Sequence, residues 1–372
     1  MTPPVRSDGH PDARPWRGRG AILRATASAN APAVFCGSRA RRAGIRLVTA
    51  AALVLAECGS AAMSPVVAHD SGAPASWSAF VHVSSPLDLT GPRHNGSLVL
   101  EAAAQLWLLS TNGQIRRFAP EYTSPSGAGP SGEPYVTQSS GGCFGNQTVY
   151  ALRLTAGPGV VAITPHAVRR LVRITTPGVL DGITFDQTGK FRHRLLVTIT
   201  AAGKTTVDAI GCHGRVTTVT RNAPRVEGGI AVAPGTFGRF AGDLIAPSEQ
   251  LGKVFAITPH GKSLLVARSG LPRGHDIGVE SEGFVPSGTR DALVADRISP
   301  RSPTTGDDVV LRIQAAALTA AGVRPGDLLV ASEAGALTDA ISCSLSGCKV
   351  RHVADGPSEA HLEGHIAFTA SP

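Results

Sequence analysis

The groups in this sequence best placed to do chemistry are five carboxylates and the residues beside them. Asp181, Glu227, Glu282 and Glu363 each precede a glycine, Glu280 stands two residues ahead of Glu282, and His275, Asp276, His361 and His365 lie close by. Carboxylates brought together either raise one another's pKa or hold a cation. One divalent ion, Ca²⁺ first among them, suits such oxygen ligands, whereas the histidines would favour a transition metal. The result would be a metal-centred or acid/base pocket. The plain alternative is that each Asp or Glu before Gly accepts hydrogen bonds from its own turn. No residue declares itself catalytic. The chain has no phosphate-binding Gly-x-x-x-x-Gly-Lys-Ser/Thr and no Gly-x-Ser-x-Gly nucleophile elbow. Gly274-His275-Asp276 sets a base next to a carboxylate, but neighbours in a strand point to opposite faces, so they do not form a dyad.

A third group of histidines leads from chemistry to architecture. Ala162-Ile163-Thr164-Pro165-His166 returns as Ala209-Ile210-Gly211-Cys212-His213 and again as Ala256-Ile257-Thr258-Pro259-His260, each time after 47 residues. The pair Ile183 and Ile230 keeps the same 47-residue step behind Asp181-Gly182 and Glu227-Gly228-Gly229. Within each period, short apolar or alternating runs are bounded by Gly, Pro or Asn, the signature of strands. One period gives 182–186, 195–200, 206–210 and 216–220; the next gives 229–232, 243–246, 253–258 and 263–268. Four strands per 40–50 residues make a propeller blade, a sheet that buries its faces only against neighbouring blades. The histidines at the 47-residue step then fall in solvated outer turns.

Outward from these two periods, runs at 134–138, 148–154, 159–164 and 171–174 form a further blade, and 97–101, 105–109 and 114–118 supply three strands. Downstream, 282–285, 291–296 and 308–313 open a blade that runs into a short helix at 315–322; 326–331, 337–342 and 349–353 follow, with a lone strand at 365–369. The expectation is an all-β propeller of about six four-stranded blades, with five as an alternative count. The C-terminal strand would close the ring by joining the incomplete N-terminal blade, which removes exposed edges. A β-sandwich followed by a second domain is the competing architecture. On the propeller, the candidate acids gather at the openings of the innermost strands on one face.

The runs Leu180-Asp181-Gly182-Ile183-Thr184-Phe185-Asp186, Val226-Glu227-Gly228-Gly229-Ile230 and Gly326-Asp327-Leu328-Leu329-Val330 resemble the six-bladed propellers of the NHL, strictosidine-synthase-like and gluconolactonase-like superfamily. The resemblance covers most of 78–370. It implies a divalent metal in the channel, held in gluconolactonase-like enzymes by the carboxylate of a blade-repeated Asp-Gly element together with a Glu and an Asn. Asp181 matches that element, Glu363 corresponds by position, and no asparagine matches.

Cysteines and charge speak to the compartment. Cys143 falls in a first-to-second-strand turn, Cys212 in a third-to-fourth-strand turn, and Cys343 and Cys348 flank another such turn, so all four share one face. In an exported chain they are expected to pair as Cys143–Cys212 and Cys343–Cys348. The formal net charge of +8 comes mainly from residues 1–58, which carry nine Arg against three acids, leaving 26 basic and 24 acidic residues in 59–372. A folded part so near neutrality, with only 5% aromatic residues, offers little to nucleic acid. The 17% charged fraction is too low for a self-repelling disordered chain.

The arginines end at Arg46 and an apolar run, Leu47 to Ala56, follows, a basic region and a hydrophobic region of signal-peptide type too short to span a bilayer. Leu55-Ala56-Glu57-Cys58 resembles a bacterial lipobox with Glu57 off its pattern, so Cys58 is a candidate lipidation site beside a plain secretory signal. A start at Val34 would give a leader of ordinary length. The expected layout is a leader at 1–62, a linker at 63–77 and a propeller at 78–372, in an exported monomer, secreted or anchored by lipid. Two functions fit: a module binding a small molecule, glycan or envelope protein at the channel face, or a metal-dependent hydrolase or oxidoreductase using the acidic, His-containing mouth.

Overall fold

The computed structural model describes residues 74–124, 133–154 and 157–370. The leader, Cys58 and linker residues 63–73 lie outside the described residues, as do residues 125–132.

Two short strands come first, β1 (Ala75–Ser76) and β2 (Ser78–His82). Four separate four-stranded antiparallel sheets follow. The first holds β3 (Pro86–Thr90), β4 (Leu98–Ala102), β5 (Gln105–Leu109) and β6 (Ile115–Arg117). The second holds β7 (Val136–Ser140), β8 (Asn146–Arg153), β9 (Gly159–Thr164) and β10 (Ala167–Arg173). The third holds β11 (Val179–Phe185), β12 (Leu195–Ala201), β13 (Lys204–Ile210) and β14 (Val216–Pro224). The fourth holds β15 (Ala231–Val232), β16 (Leu244–Ser248), β17 (Lys253–Ile257) and β18 (Ser263–Arg268).

The rest of the chain supplies β19 (Val279–Phe284), β20 (Thr289–Asp296), β21 (Val309–Gln314), helix α1 (Ala315–Ala320), β22 (Leu328–Ser332), β23 (Thr338–Cys343), β24 (Cys348–Asp355) and β25 (Leu362–Ala370). With β1 and β2, these strands form one nine-stranded sheet in the order β1-β24-β23-β22-β19-β25-β20-β21-β2. Its two halves meet at a single parallel pair, Glu282 with His365.

Strand-rich sheets stacked face to face bear out the all-β, propeller-like expectation, but its details change. Instead of about six separate blades, there are four separate sheets and a nine-stranded one. The runs read as one blade at 282–313 belong to two places, because β19 pairs with β22 across the intervening β20, β21 and α1. The first sheet is complete, its innermost strand being β3, whose short Pro86-Leu87-Asp88-Leu89-Thr90 run gives a weak strand signal. The C-terminal strand therefore pairs with β20 and not with the first sheet, while N-terminal β2 takes the free side of β21. β25 and β2 flank the β20–β21 pair, one on each side, so neither β20 nor β21 is left unpaired.

Apolar faces pack in sequence around the ring. Val99 and Leu106 meet Val136 and Val149; Leu152 and Val160 meet Ile183 and Val197; Leu196 and Val207 meet Leu244 and Ala246. Val254 and Val266 then meet Leu328 and Val330, and Leu293 and Val310 return to Leu98 and Leu100 of the first sheet. Both expected disulfides are present: Cys143–Cys212 joins the second and third sheets with Cα atoms 5.8 Å apart, and Cys343–Cys348 closes the β23–β24 hairpin at 4.0 Å. No helix among the described residues is long and apolar enough to cross a membrane. His166, His213 and His260 are all exposed, as turn residues should be.

Candidate functional site

In a ring of such sheets, the loops that lead into each innermost strand and the loops between second and third strands open on the same face. Here they converge on a cavity of about 500 Å³ lined by Asp181, Glu227, His275, Asp276, Glu280, His361 and Glu363 among others. Asp181, Glu280 and Glu363 sit on the innermost strands β11, β19 and β25; Glu227 and His361 lie just ahead of β15 and β25. His275 and Asp276 come from an irregular loop, not a strand, with Asp276 at φ +57°.

Two of the nine candidates are elsewhere. Glu282 and His365 border a second cavity of about 840 Å³, with Thr90, Thr184 and Phe284. The strand period explains this correction. Residues 280 and 282, or 363 and 365, are successive inward positions, and 6–7 Å along a strand is enough to pass from one cavity to the next.

The same cavity gathers six residues that the sequence reading passed over: Glu133, Tyr135, Arg225, Glu249, Arg297 and Glu333. A signal for three of them exists. Glu249, Arg297 and Glu333 each directly follow the second strand of their group, after Ser248, Asp296 and Ser332. That position is as regular as the innermost-strand openings on which the reading relied.

Contacts inside the mouth are short and crowded. The Tyr135 hydroxyl lies 2.8 Å from Glu280 Oε1 and 3.3 Å from Glu363 Oε2, and it also reaches Glu133. A phenol has one proton to give, so further carboxyls complete this contact only by donating a proton of their own. Arg297 Nη2 donates to Glu133 Oε1 at 3.1 Å and also pairs with Glu363. His361 Nε2 lies 3.1 Å from Glu333 Oε1 and 3.3 Å from Glu363 Oε1, while its Nδ1 is buried without a partner among the described residues. At the rim, Arg225 Nη2 holds Glu227 Oε2 at 2.7 Å. Close backbone approach is needed as well: Gly228 has φ +79°, and a Cβ there would lie 2.2 Å from the Glu280 carbonyl oxygen.

Eight carboxyls thus face two guanidinium groups, and the imbalance appears as proton retention. Burial pushes the Glu133 carboxyl up to about 8, helped by Glu363 and opposed by Arg297. It does the same for Asp181, also to about 8. Burial and then the Glu333 and Glu363 charges hold Glu280 well above the carboxylate range; burial and Glu363 raise Glu333. His361 moves the other way, down to about 4, through burial and then through Arg297, so its ring is neutral.

Two donor sets have atoms all within 4.8 Å of one another: Glu333, His361 and Glu363, fully buried, and Glu133, Glu280 and Glu363. The first combines an imidazole nitrogen with two carboxylates, a set that fits Mn²⁺ or Zn²⁺; the second, all oxygen, fits Ca²⁺.

No family model matches this chain, and no curated protein matches it. Among solved structures, a virginiamycin B lyase from Staphylococcus aureus is similar over 72% of this chain and 70% of its own, at 14% identity and a TM-score of 0.42. The soluble aldose sugar dehydrogenase from Escherichia coli is similar over 80% of this chain and 99% of its own, at 10% identity and 0.46. A gluconolactonase from Xanthomonas campestris is similar over 59% and 68%, at 14% identity and 0.36. Likenesses this distant say nothing about chemistry, so the reading of the site rests on its own residues.

Proposed function

We propose that this chain is an exported, propeller-like enzyme that binds one divalent cation at its acidic mouth and uses it in a hydrolytic reaction on a small polar substrate. The observation carrying this reading is the buried set Glu333, His361 and Glu363, three donors of mixed type from two different loops and a strand. His361 is neutral and so able to offer a nitrogen lone pair. A divalent cation there supplies Lewis acidity toward a carbonyl or phosphoryl oxygen.

The chain's own residues do the rest. Arg297 pairs with Glu363 and orients it. Asp181 and Glu133, held protonated near neutrality by burial, are placed to donate a proton to a leaving group. The disulfides support export, since such bonds persist outside a reducing cytosol. A lipid anchor at Cys58 belongs to the same reading.

A second reading has its own observation in favour. Arg297 and Tyr135 already tie Glu133, Glu280 and Glu363 into one hydrogen-bonded network, which could stand without an ion and receive a neutral small molecule or glycan. Elemental mass spectrometry of the purified full chain separates the two. Near one equivalent of Mn, Zn or Ca, lost in Glu333→Gln and in His361→Ala but kept in Glu282→Gln, supports the enzyme. A chain that neither carries nor takes up any of these ions leaves the binding module.

A further inference from the structure

The folded part is close to neutral in sum, but its charges are segregated. Between residues 86 and 224, thirteen basic side chains are exposed or half-exposed, against Glu121 and Glu133; Asp88, Glu101, Asp181, Asp186 and Asp208 are all buried. The first three sheets therefore turn a cationic surface outward while their acids face the channel and the core.

That surface contains a defined cleft. Between the first and second sheets, about 300 Å³ is lined by Arg93, His94, Arg116, Arg117, Phe118 and Gln147, with no carboxylate in its walls. Arg93 is fixed there, its Nη1 donating to Gln138 Oε1 at 3.1 Å and to the Gln147 carbonyl at 3.0 Å. Neither Arg93 nor Arg116 has an ion-pair partner among the described residues, and burial followed by Arg116's charge lowers the Arg93 pKa. Like charges held together without a counter-ion favour an incoming anion, and guanidinium forks match phosphate and sulfate oxygens.

The cationic surface continues beyond the cleft. Pro165, in the cleft wall, belongs to the turn that starts β10, which exposes Arg169 and Arg173. Against β10 lies the β13–β14 turn: a Cβ on Gly214 would be 2.5 Å from the Leu171 carbonyl oxygen, and Arg215 follows directly. A row of this kind suits an extended ligand better than a single small anion. It does not suit nucleic acid, because the nearby aromatic faces are taken, with Arg93 stacked 4.8 Å from the Phe118 centroid and Arg117 5.5 Å from that of Trp107.

We infer that the outer face of the first three sheets binds a linear polyanion of phosphate or sulfate groups, seated in the Arg93–Arg116–Arg117 cleft and continued along β10. The test is fluorescence anisotropy of end-labelled inorganic polyphosphate with the full chain, at about 50 and about 200 mM salt. Affinity should fall steeply with salt, and Arg116→Glu/Arg117→Glu should weaken it by about tenfold or more. Lys262→Glu/Arg268→Glu, the same charge change on the fourth sheet, should leave it within about twofold, with thermal unfolding confirming that both variants fold. Equal losses in the two variants overturn the assignment, as does competition by orthophosphate at matching phosphate concentration. Tighter binding to duplex DNA or to phosphatidylglycerol vesicles than to polyphosphate overturns the ligand class.

Discussion

His365 Nδ1 lies 2.9 Å from Asp88 Oδ1, which joins the last strand of the chain to the innermost strand of the first sheet. The Asp88 carboxylate is completely buried and also accepts the backbone N–H groups of Leu89, Val136 and His365, so one side chain ties β3, β7 and β25 together. The second ring nitrogen, Nε2, faces the Ile230 carbonyl at 3.2 Å, so both nitrogens meet acceptors and the imidazolium form satisfies them. Gly364 makes room for this: at φ +65°, a Cβ there would lie 2.4 Å from Asp88 Oδ1.

Removing one member of a buried pair strands the other, at a cost of about 3–5 kcal/mol. Asp88→Asn should lower stability by that order in urea unfolding, and His365→Gln by less, because asparagine leaves three backbone donors and an imidazolium facing a neutral amide. Equal stabilities of Asp88→Asn and the parent protein would show that the pair is incidental to closure of the ring.

The pair also sets a pH dependence. Burial alone would lower the His365 pKa, but Asp88's charge and its hydrogen bonds raise it on balance. The folded state then holds the proton more tightly than the unfolded chain. The contribution is complete below the unfolded value of about 6.5 and is lost as pH rises through the folded one. The parent's urea midpoint should drop over that window, and the His365→Gln midpoint should not share that component.

Two buried carboxyls away from the acidic mouth act in the same direction. Burial raises Glu101 to about 8, against a hydrogen bond from Ser124, and holds Glu282 well above its usual range. Among the described residues neither Glu282 oxygen has a hydrogen-bond partner in good geometry, although the Ala231 N–H is near enough to ease the shift. Unfolding releases these protons, so their contribution is complete below about pH 4.3 and fades toward pH 8 for Glu101. Thermal midpoints of Glu101→Gln and Glu282→Gln, scanned from pH 4.5 to 8, should fall less steeply than the parent's.

The two disulfides should differ in weight. Cys143–Cys212 closes a loop with a sequence separation of 69, Cys343–Cys348 one of 5. On the loop-entropy account these are worth about 4 and about 2 kcal/mol. Paired serine substitutions, compared by guanidinium unfolding, should therefore cost roughly twice as much for the inter-sheet bond as for the hairpin bond.

Arg297 contacts both Glu133 and Glu363. Arg297→Met should leave Glu363 without its cation and Glu133 without its donor, at a cost of about 3–5 kcal/mol in urea unfolding at neutral pH. A variant as stable at pH 7.5 as the parent would mean that the mouth is already neutralised by other means.

The repeat was legible because it is written in local terms. Ile163, Ile210 and Ile257 recur at one step because each lies at or next to the end of a third strand, and turn glycines and alternating apolar residues mark strand limits without reference to the rest of the chain. The cysteine pairs were legible for a related reason, since turns of equal rank fall on one face. Asp181, Glu227, Glu280 and Glu363 are legible because innermost-strand openings recur with the repeat, and His275, Asp276 and His361 through their nearness to those openings in sequence. Glu249, Arg297 and Glu333 are equally regular but sit after second strands, where no Asp-Gly or Glu-Gly pair marks them.

What the sequence by itself determined is therefore the strand order within each repeat, the all-β class, the cysteine pairing and the gathering of acids at one face, all consequences of period and turn chemistry. Only the tertiary structure decided how the ring closes, which cavity each acid enters, and that His365 pairs with Asp88 from the far end of the chain. Those depend on contacts across 277 residues of sequence and on displacements of two residues along a strand, which no local pattern encodes.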